Sequence, residues 1–140
     1  MNKNKQSGFS LIELLLVIVI IGVLSTITFP FLYSAKHAAE NGNAFASLRT
    51  ISSGQVAYFS QNGRFARFNE LNAAQANGLG SVTANVLTRG KFTYTMTPGN
   101  PTDAQLRIGY SITATKAVAG GELPNVISLS QTGQIIQVLP

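Results

Sequence analysis

The chain has 140 residues, no cysteine and a formal net charge of +5 at pH 7. This length leaves room for one compact domain, and the lack of cysteine excludes disulfides, thiolate metal ligands and a cysteine nucleophile. The five acids are scattered, so a paired-carboxylate catalytic site is not expected. The only histidine, His37, lies in an alanine-rich segment and is interpreted as a surface residue. We therefore predict no enzymatic activity, no cofactor and no metal site.

The first predicted element is an apolar run. It extends from Phe9 to Leu32, 24 residues in which Glu13 is the only charge. As a helix the run would be about 36 Å long, enough to cross a hydrocarbon core of about 30 Å. Lys3 and Lys5 precede it, which favours a cytoplasmic N-terminus. The run therefore predicts a single membrane span.

A secretory signal peptide is the alternative interpretation of this run. The basic start, the apolar stretch and the residues Val23 and Ser25 fit a loose cleavage site. The run continues past Ser25 to Leu32, however, which is longer than a signal peptide needs. The acid at Glu13 is also unusual inside a signal peptide. These two features favour a retained helix.

Glu13 stands three residues after Ser10, the spacing of a capping box. In this motif each side chain caps the backbone amide of the other residue, which suits the start of a helix. A capping role does not explain why a charged residue stands here, since a charge costs about 2.5–3.5 kcal/mol at the bilayer centre. An acid in a membrane segment therefore predicts a functional partner.

The start of the run resembles the processing site of type IV pilins and pseudopilins. A short leader with two lysines ends in the sequence GFSLIE, which contains Gly8, Phe9 and Glu13. The resemblance implies that a prepilin peptidase cleaves between Gly8 and Phe9 and methylates the new N-terminal Phe9. It also implies that Glu13 docks against the Phe9 amine of a neighbouring subunit. An ion pair that forms only in the correct register is the best-attested use of a buried charge pair.

Gly22 and Pro30 match the helix-weakening glycine and proline of many such subunits. Pro30 lacks the N–H that would bond to Thr26, and glycine is a poor helix former. The resemblance implies that this stretch melts when a subunit leaves the membrane for the filament. Extended chain rises about twice as far per residue as helix, so melting would lengthen the segment.

Beyond Leu32 the pattern becomes that of an amphipathic helix. Apolar residues from Phe45 to Phe59 fall within an arc of roughly 160° when plotted at about 100° per residue. We therefore predict one helix from near Phe9 to about Gln61, followed by Asn62-Gly63 as a left-handed stop. Asn41-Gly42 is a potential break within this helix.

The remainder of the chain predicts a loop followed by strands. Residues 62–90 show no clear periodicity and are predicted to form a variable loop. Alternation of apolar and polar residues in the last part of the chain predicts strands, with a final hairpin turn at Gln131-Thr132-Gly133. These strands are predicted at 91–96, 106–115, Val126–Ser130 and Gln134–Val138.

The predicted fold class is α+β. A long N-terminal helix, first membrane-spanning and then amphipathic, would pack on a small antiparallel sheet of about four strands. With the resemblance, this arrangement is the lollipop of a type IV pilin. The predicted domains are a leader at 1–8, a transmembrane and filament-core segment at 9–33, and a head at 34–140. The head would contain the helix to about 61, the loop at 62–90 and the sheet at 91–140.

The resemblance implies a structural subunit of a type IV pilus-like filament. The prepilin would lie in the bacterial inner membrane, be cleaved and N-methylated, and polymerise through its N-terminal helix into an extracellular pilus. Its partners would be copies of itself, minor pilins, the prepilin peptidase and the inner-membrane assembly platform with its ATPase. The alternatives are a pseudopilin of a type II secretion system, in a periplasmic pseudopilus, and a DNA-binding minor pilin. Adhesion, motility, DNA uptake and electron conduction are all compatible roles.

The chain departs from two features of some family members. It has no cysteines to close a C-terminal loop, so that region must be held by packing. Some secretion pseudopilins hold calcium near their C-terminal loops, but Asp103 and Glu122 alone supply too few oxygen ligands.

The DNA-binding alternative depends on basic residues in the head. Without the leader lysines the net charge falls from +5 to +3. Phe65 and Phe68 alternate along the chain with the basic residues Arg64 and Arg67. Aromatic residues among basic ones are typical of proteins that bind single-stranded nucleic acid. The simpler interpretation is a solvated basic surface whose phenylalanines anchor the loop to the helix. The candidate patch consists of Arg64, Arg67, Arg89, Lys91 and Arg107.

Overall fold

The structure, a computed structural model, describes residues 8–116 and 124–139. Within these residues a long helix, α1, is followed by two short helices and six strands. The elements are α1 (Leu11–Asn62), α2 (Phe68–Ala74), β1 (Ser81–Thr83), β2 (Val86–Arg89), β3 (Phe92–Thr97), α3 (Asp103–Ile108), β4 (Ser111–Lys116), β5 (Asn125–Ser130) and β6 (Ile135–Leu139). The fold class is α+β, as the sequence predicts. The leader up to Ser7 and the candidate ligand Glu122 lie outside the described residues.

The first part of α1 exposes its apolar side chains on every side. Between Leu11 and Leu32 the large apolar side chains are 45–81% exposed. By length and composition α1 contains a segment able to cross a membrane. A helix that is apolar all round needs burial in another medium or against other chains. The boundary between the two compact units of the chain falls between Ala39 and Glu40.

The second part of α1 supplies one side of the core of the unit that starts at Glu40. Ala44, Leu48, Ile51 and Gln55 recur at helical spacing and are all buried. They pack with the apolar residues of the sheet and of α2 in one cluster. The helix is unbroken at Asn41-Gly42, since this face is held by the core.

The sheet is an antiparallel meander in the order β1-β2-β3-β4-β5-β6. Tyr94 of β3 pairs with Ala114 of β4, which in turn pairs with Ile127 of β5. All three are buried, so one row of side chains crosses the central strands toward the core. β3, β4 and β5 alternate strictly between more and less buried positions, as expected for a sheet with one covered face.

Three predictions about this region are wrong. The sheet has six strands rather than about four. The predicted loop at 62–90 contains α2, β1 and β2, which have seven, three and four residues and are too short to show a periodicity. The alternation at 106–115 does not start a strand, because α3 occupies its first residues.

The start of α3 explains why the alternating residues from Leu106 onward do not begin a strand. Thr102 accepts a hydrogen bond from the backbone of Gln105, whose side chain in turn accepts from the Thr102 N–H. This capping box begins a helix, in which residues two apart face different directions. Leu106 is accordingly fully buried, whereas Ile108 is 82% exposed. A strand would have put both on one face.

α1 ends where the sequence predicts. Its last residue is Asn62, and Gly63 follows with a φ of +66°, the left-handed conformation expected for a helix stop. The Gly63 N–H donates to the Phe59 carbonyl at 2.8 Å. The chain then returns along α1, and Gln55 pairs with the backbone of Ala66. Its amide nitrogen donates to the Ala66 carbonyl at 2.8 Å, and its oxygen accepts from the Ala66 N–H at 2.7 Å.

We expect Gln55→Leu to destabilise the head strongly. Gln55 and Ala66 are both fully buried, so the substitution would leave a donor and an acceptor of the backbone unpaired away from water. At about 1–3 kcal/mol per unpaired group, the loss should be about 2–6 kcal/mol. Urea unfolding of a soluble fragment comprising residues 34–140 measures it.

The matched control for this prediction is Gln61→Leu, because Gln61 is exposed on the same helix. It should change the free energy of unfolding by less than about 0.5 kcal/mol. Equal losses from both substitutions would contradict the proposed role of the Gln55–Ala66 pair.

Candidate functional site

The predicted cleavage site precedes α1. Gly8, Phe9 and Ser10 are exposed and non-helical, and the Phe9 side chain is 85% exposed. Within residues 8–116 and 124–139, no atom beyond its chain neighbours lies within 4 Å of the position that a Gly8 Cβ would occupy. The Gly8–Phe9 peptide bond therefore lies outside the helix, shortly before its first turn. Cleavage after Gly8 and methylation of Phe9 stay predictions.

Glu13 caps the first turn of α1. Its Oε2 accepts a hydrogen bond from the Ser10 backbone N–H at 2.9 Å, one of the two bonds of a capping box. The electropositive end of the helix also favours a carboxylate there. In the single chain Glu13 is thus satisfied locally. Its predicted pairing with the Phe9 amine of another subunit requires the amine that cleavage would create.

The predicted melting segment is helical in this structure. α1 continues through both Gly22 and Pro30. Three hydroxyls within the segment bond to backbone carbonyls of the preceding turn: Ser25 to Ile21 at 2.7 Å, Thr26 to Val23 at 2.7 Å and Thr28 to Leu24 at 2.8 Å. Such bonds satisfy these hydroxyls in a membrane but slightly weaken a helix. Melting between Gly22 and Pro30 stays a prediction.

A cluster of polar side chains joins the start of the second unit to the sheet. The Glu40 Oε1 lies 2.9 Å from the Lys91 ammonium, and its Oε2 pairs with Lys116. The neighbouring Asn41 accepts a hydrogen bond from the Asn125 side chain at 2.7 Å. The side chains of Glu40 and Lys116 are 17% and 6% exposed, so their contact is largely shielded from water, whereas Lys91 is 57% exposed. These contacts connect α1 to the ends of β3, β4 and β5.

The two lysines hold the pKa of Glu40 well below its usual range. Hydrogen bonding to Lys116 is the larger cause and that to Lys91 the next, and together they lower the pKa from 4.5 to about 2. Sequence reasoning missed this cluster, because Glu40 and Lys116 are 76 residues apart. Only the register of the sheet brings them together.

A second charge network involves the candidate basic patch. Arg64 forms two hydrogen bonds with Glu70, at 2.7 and 2.9 Å, and Arg67 contacts Glu70 at 3.3 Å and Asp103 at 2.7 Å. The Arg64 guanidinium is the main cause that lowers the pKa of Glu70 to about 2. Arg64 and Arg67 are therefore neutralised by carboxylates of their own chain. The network ties the segment after α1 to α3.

The five basic residues do not form one open patch. Besides Arg64 and Arg67, Lys91 is also paired with a carboxylate, which leaves Arg89 and Arg107 outside the ion pairs found among the described residues. Phe68 is fully buried, and the Phe65 ring contacts that of Phe59 at a tilt and that of Tyr110 edge-on, each at 4.7 Å between centroids. The two phenylalanines anchor the loop to the helix, as the simpler interpretation predicted.

Residues 8–116 and 124–139 contain no group of three acidic or histidine side chains close enough to hold a metal ion. His37 is partly buried, and its ring contacts that of Tyr33 edge-on at 4.4 Å. The functional features of the chain are therefore the apolar helix with its acid and the charge clusters of the head.

These features define a protein with a prepilin-type N-terminus on an α+β head. Residues 3–29 match the family model described as the prokaryotic N-terminal methylation motif. This match includes Gly8, Phe9, Glu13 and Gly22, and with the relatives below it confirms the resemblance to type IV pilins and pseudopilins.

Two relatives are similar over about half of the chain. The chain is 32% identical over 75 residues to the type IV major pilin protein PilA of Myxococcus xanthus (strain DK1622). The aligned residues make up 53% of this chain and 34% of the relative. It is 34% identical over 65 residues to the type II secretion system core protein G of Aeromonas hydrophila, which covers 46% of each. The chain thus spans less than half the length of either relative. No solved structure matches it significantly.

We expect acid to destabilise the head through Glu40 and Glu70. Both have a folded-state pKa of about 2, below the ordinary value of 4.5. Because the folded pKa is the lower one, the stabilisation is complete above about pH 5 and is lost as the pH falls toward 2. Urea unfolding of the 34–140 fragment between pH 7 and pH 2 should show this loss.

Replacing one acid tests the assignment. Glu70→Gln should lower stability at pH 7 and reduce the slope of stability against pH below pH 5, since one titrating group is removed. An unchanged slope in this variant would mean that the acid sensitivity arises elsewhere.

Proposed function

We propose that this protein is a structural subunit of a type IV pilus-like filament. The observation that carries the proposal is the first part of α1, which is apolar on every side and has one acid, Glu13, in its first turn. Such a helix is stable in a bilayer before assembly and among copies of itself afterwards. The prepilin would span the inner membrane with its N-terminus in the cytoplasm. Cleavage after Gly8 and methylation of Phe9 would precede polymerisation.

Assembly would use Glu13 to set the register between subunits. After cleavage the chain carries a positive Phe9 amine four residues before the carboxylate. Within one helix this pair is weak, because the electropositive helix end disfavours the amine. Stacking of subunits would place the amine of one chain against the Glu13 of another. An unpaired charge in an apolar interior is costly, so only the correct axial position would be stable.

A pseudopilin of a type II secretion system is the second candidate function. The similarity to core protein G, which spans 46% of both chains, favours it. In both cases we infer the same partners: copies of the chain, minor pilins, the prepilin peptidase and an inner-membrane platform with its ATPase. The locations would differ, because a pilus is extracellular and a pseudopilus periplasmic. A DNA-binding minor pilin is less well supported, since Arg64, Arg67 and Lys91 are paired with acids.

Mechanical shearing of cells separates the two main candidates. A major pilin should be recovered as the bulk of the sheared filaments. A pseudopilin should remain with the cells, and its loss should abolish protein secretion while surface filaments persist.

We expect the mature protein to lack residues 1–8 and to carry one methyl group on Phe9. Intact-mass and N-terminal peptide mass spectrometry of the membrane-extracted protein measure both changes. Gly8→Leu should block processing, because the peptidase site would then meet a bulky side chain. A mature N-terminus near Ser25 would instead indicate a secretory signal peptide and contradict the prepilin proposal.

We expect Glu13→Gln to abolish filament assembly without impairing membrane insertion. The glutamine oxygen can still accept from the Ser10 N–H, as Glu13 does at 2.9 Å, but the charge is removed. The amine of the neighbouring subunit would then be buried unpaired, a loss of about 3–5 kcal/mol by analogy with broken buried pairs. Filament yield per processed subunit, measured by immunoblot of sheared fractions, reports the effect.

Glu13→Val is the companion variant, because it removes the cap as well as the charge. If Glu13 acts only as a cap, Glu13→Gln should assemble normally and Glu13→Val should lose only about 1 kcal/mol. Equal failure of both variants, with normal processing and insertion, supports the docking role. Normal filament yield from processed Glu13→Gln protein would refute it.

A further inference from the structure

A cleft in the head lies between α1 and the turn that joins β2 to β3. Its volume is about 500 Å³, within the range of small-molecule sites. One wall consists of Asn43, Ser47 and Thr50, which lie one above another on α1. Arg89 and Lys91 form the other wall, and the aromatic residues Phe92 and Tyr94 contribute to the lining. None of the functions proposed above uses this cleft.

The cleft contains a cation without a partner among the described acids. Arg89 is exposed and takes part in none of the ion pairs among residues 8–116 and 124–139. The acids in these ranges have other partners: Glu13 accepts from the Ser10 amide, and Glu70 and Asp103 pair with Arg64 and Arg67. Glu40 also lines the cleft, and it pairs with Lys91 and Lys116. A guanidinium matches a carboxylate in a bidentate geometry, so Arg89 can hold the carboxylate of a ligand.

The opposite wall offers hydrogen-bond acceptors. The Thr50 hydroxyl donates its hydrogen to the Ala46 carbonyl at 3.0 Å, so its oxygen can only accept a further hydrogen bond. The Asn43 side chain is exposed and can both donate and accept. Ser47 is largely buried and donates to the Asn43 carbonyl at 2.8 Å, which closes the base of the wall.

We propose that this cleft binds a sugar acid. The Arg89 guanidinium holds the carboxylate, and Thr50 and Asn43 bind the ligand's hydroxyl groups. A sugar acid carries an anion and several hydroxyl donors on one small frame, which matches a wall that donates and a wall that accepts. A DNA backbone offers anionic oxygens without such donors, so it fits only the Arg89 side. The proposal is independent of filament assembly, since all lining residues belong to the head.

Titration of the processed full-length protein in detergent micelles tests the proposal. The probe is galacturonate, the matched neutral sugar is galactose, and binding is followed by two-dimensional NMR. Galacturonate should saturate and shift the signals of the cleft residues. Galactose should bind at least about tenfold more weakly, because it lacks the charge-assisted contact to Arg89.

Two arginine variants of equal charge change supply the control. Arg89→Gln should weaken galacturonate binding by about tenfold or more. Arg107→Gln should leave it unchanged, because Arg107 is also exposed and outside the ion pairs but does not line the cleft. Thr50→Val should weaken binding by a smaller factor of about threefold, which tests the accepting wall. Because Arg89 and Thr50 are exposed, these variants should retain the fold, and their NMR spectra verify this.

Several outcomes would overturn the proposal. One is the same galacturonate affinity in Arg89→Gln and in the unaltered chain, and another is an equal loss in Arg107→Gln. Absence of saturable binding would also refute it. If inorganic phosphate or a short oligonucleotide binds as tightly as galacturonate and competes with it, the cleft is a general anion or nucleic-acid site and the sugar-acid assignment is wrong.

Discussion

The burial of one face of α1 against the sheet is the interaction on which the structure of the head depends. Ala44, Leu48 and Ile51 are all but completely buried, and they meet the inner rows of β3, β4 and β5. Full burial of a leucine or isoleucine contributes about 1.5–3 kcal/mol relative to exposure. The same helix exposes its apolar residues between Leu11 and Leu32. One element thus serves two environments, because its pattern changes from apolar all round to apolar on one face.

Charge pairing within the chain complements this division. The chain has only five acids, and three of those in the described head are held in ion pairs with arginine or lysine. Glu40 is the first residue of the second unit, and Glu70 lies in α2, which follows α1. The Glu40 pairs bring α1 to the start of β3 and the end of β4, and the Arg67–Asp103 pair brings the segment after α1 to α3. Salt bridges of this kind define geometry more than they add stability.

Sequence reasoning succeeded where a signal repeats over many residues. The extent of α1, its apolar half and its stop at Gly63 follow from long periodicity and from a glycine that adopts a positive φ. The alternation around Tyr94 likewise predicts β3. It failed where elements are short: α2, β1 and β2 have too few residues to establish a period. It failed again at α3, because a local capping box outweighed an alternating pattern.

The candidate sites divide in the same way. The motif with Gly8, Phe9 and Glu13 is recognisable in the sequence because it is local and its offsets are fixed, and it lies within the matched residues 3–29. The Glu40–Lys116 contact and the Arg89 cleft were not found, because they require the register that places β2, β3 and β4 beside α1. The candidate basic patch could not be decided from the sequence for the same reason, since a count of positive residues does not reveal which of them face acids.

The position of the Glu40 contacts bears on how α1 can change length. The predicted melting segment ends at Pro30, whereas the first fully buried core residue of α1 is Ala44. Between them stand Glu40 and Asn41, which bond to Lys116 and Asn125 at the strand ends. Helix unfolding propagates residue by residue until it meets side chains whose contacts it would break. The predicted loss of helix between Gly22 and Pro30 would therefore leave the contacts of the buried face of α1 in place, and the Glu40 contacts would oppose its spread into the head.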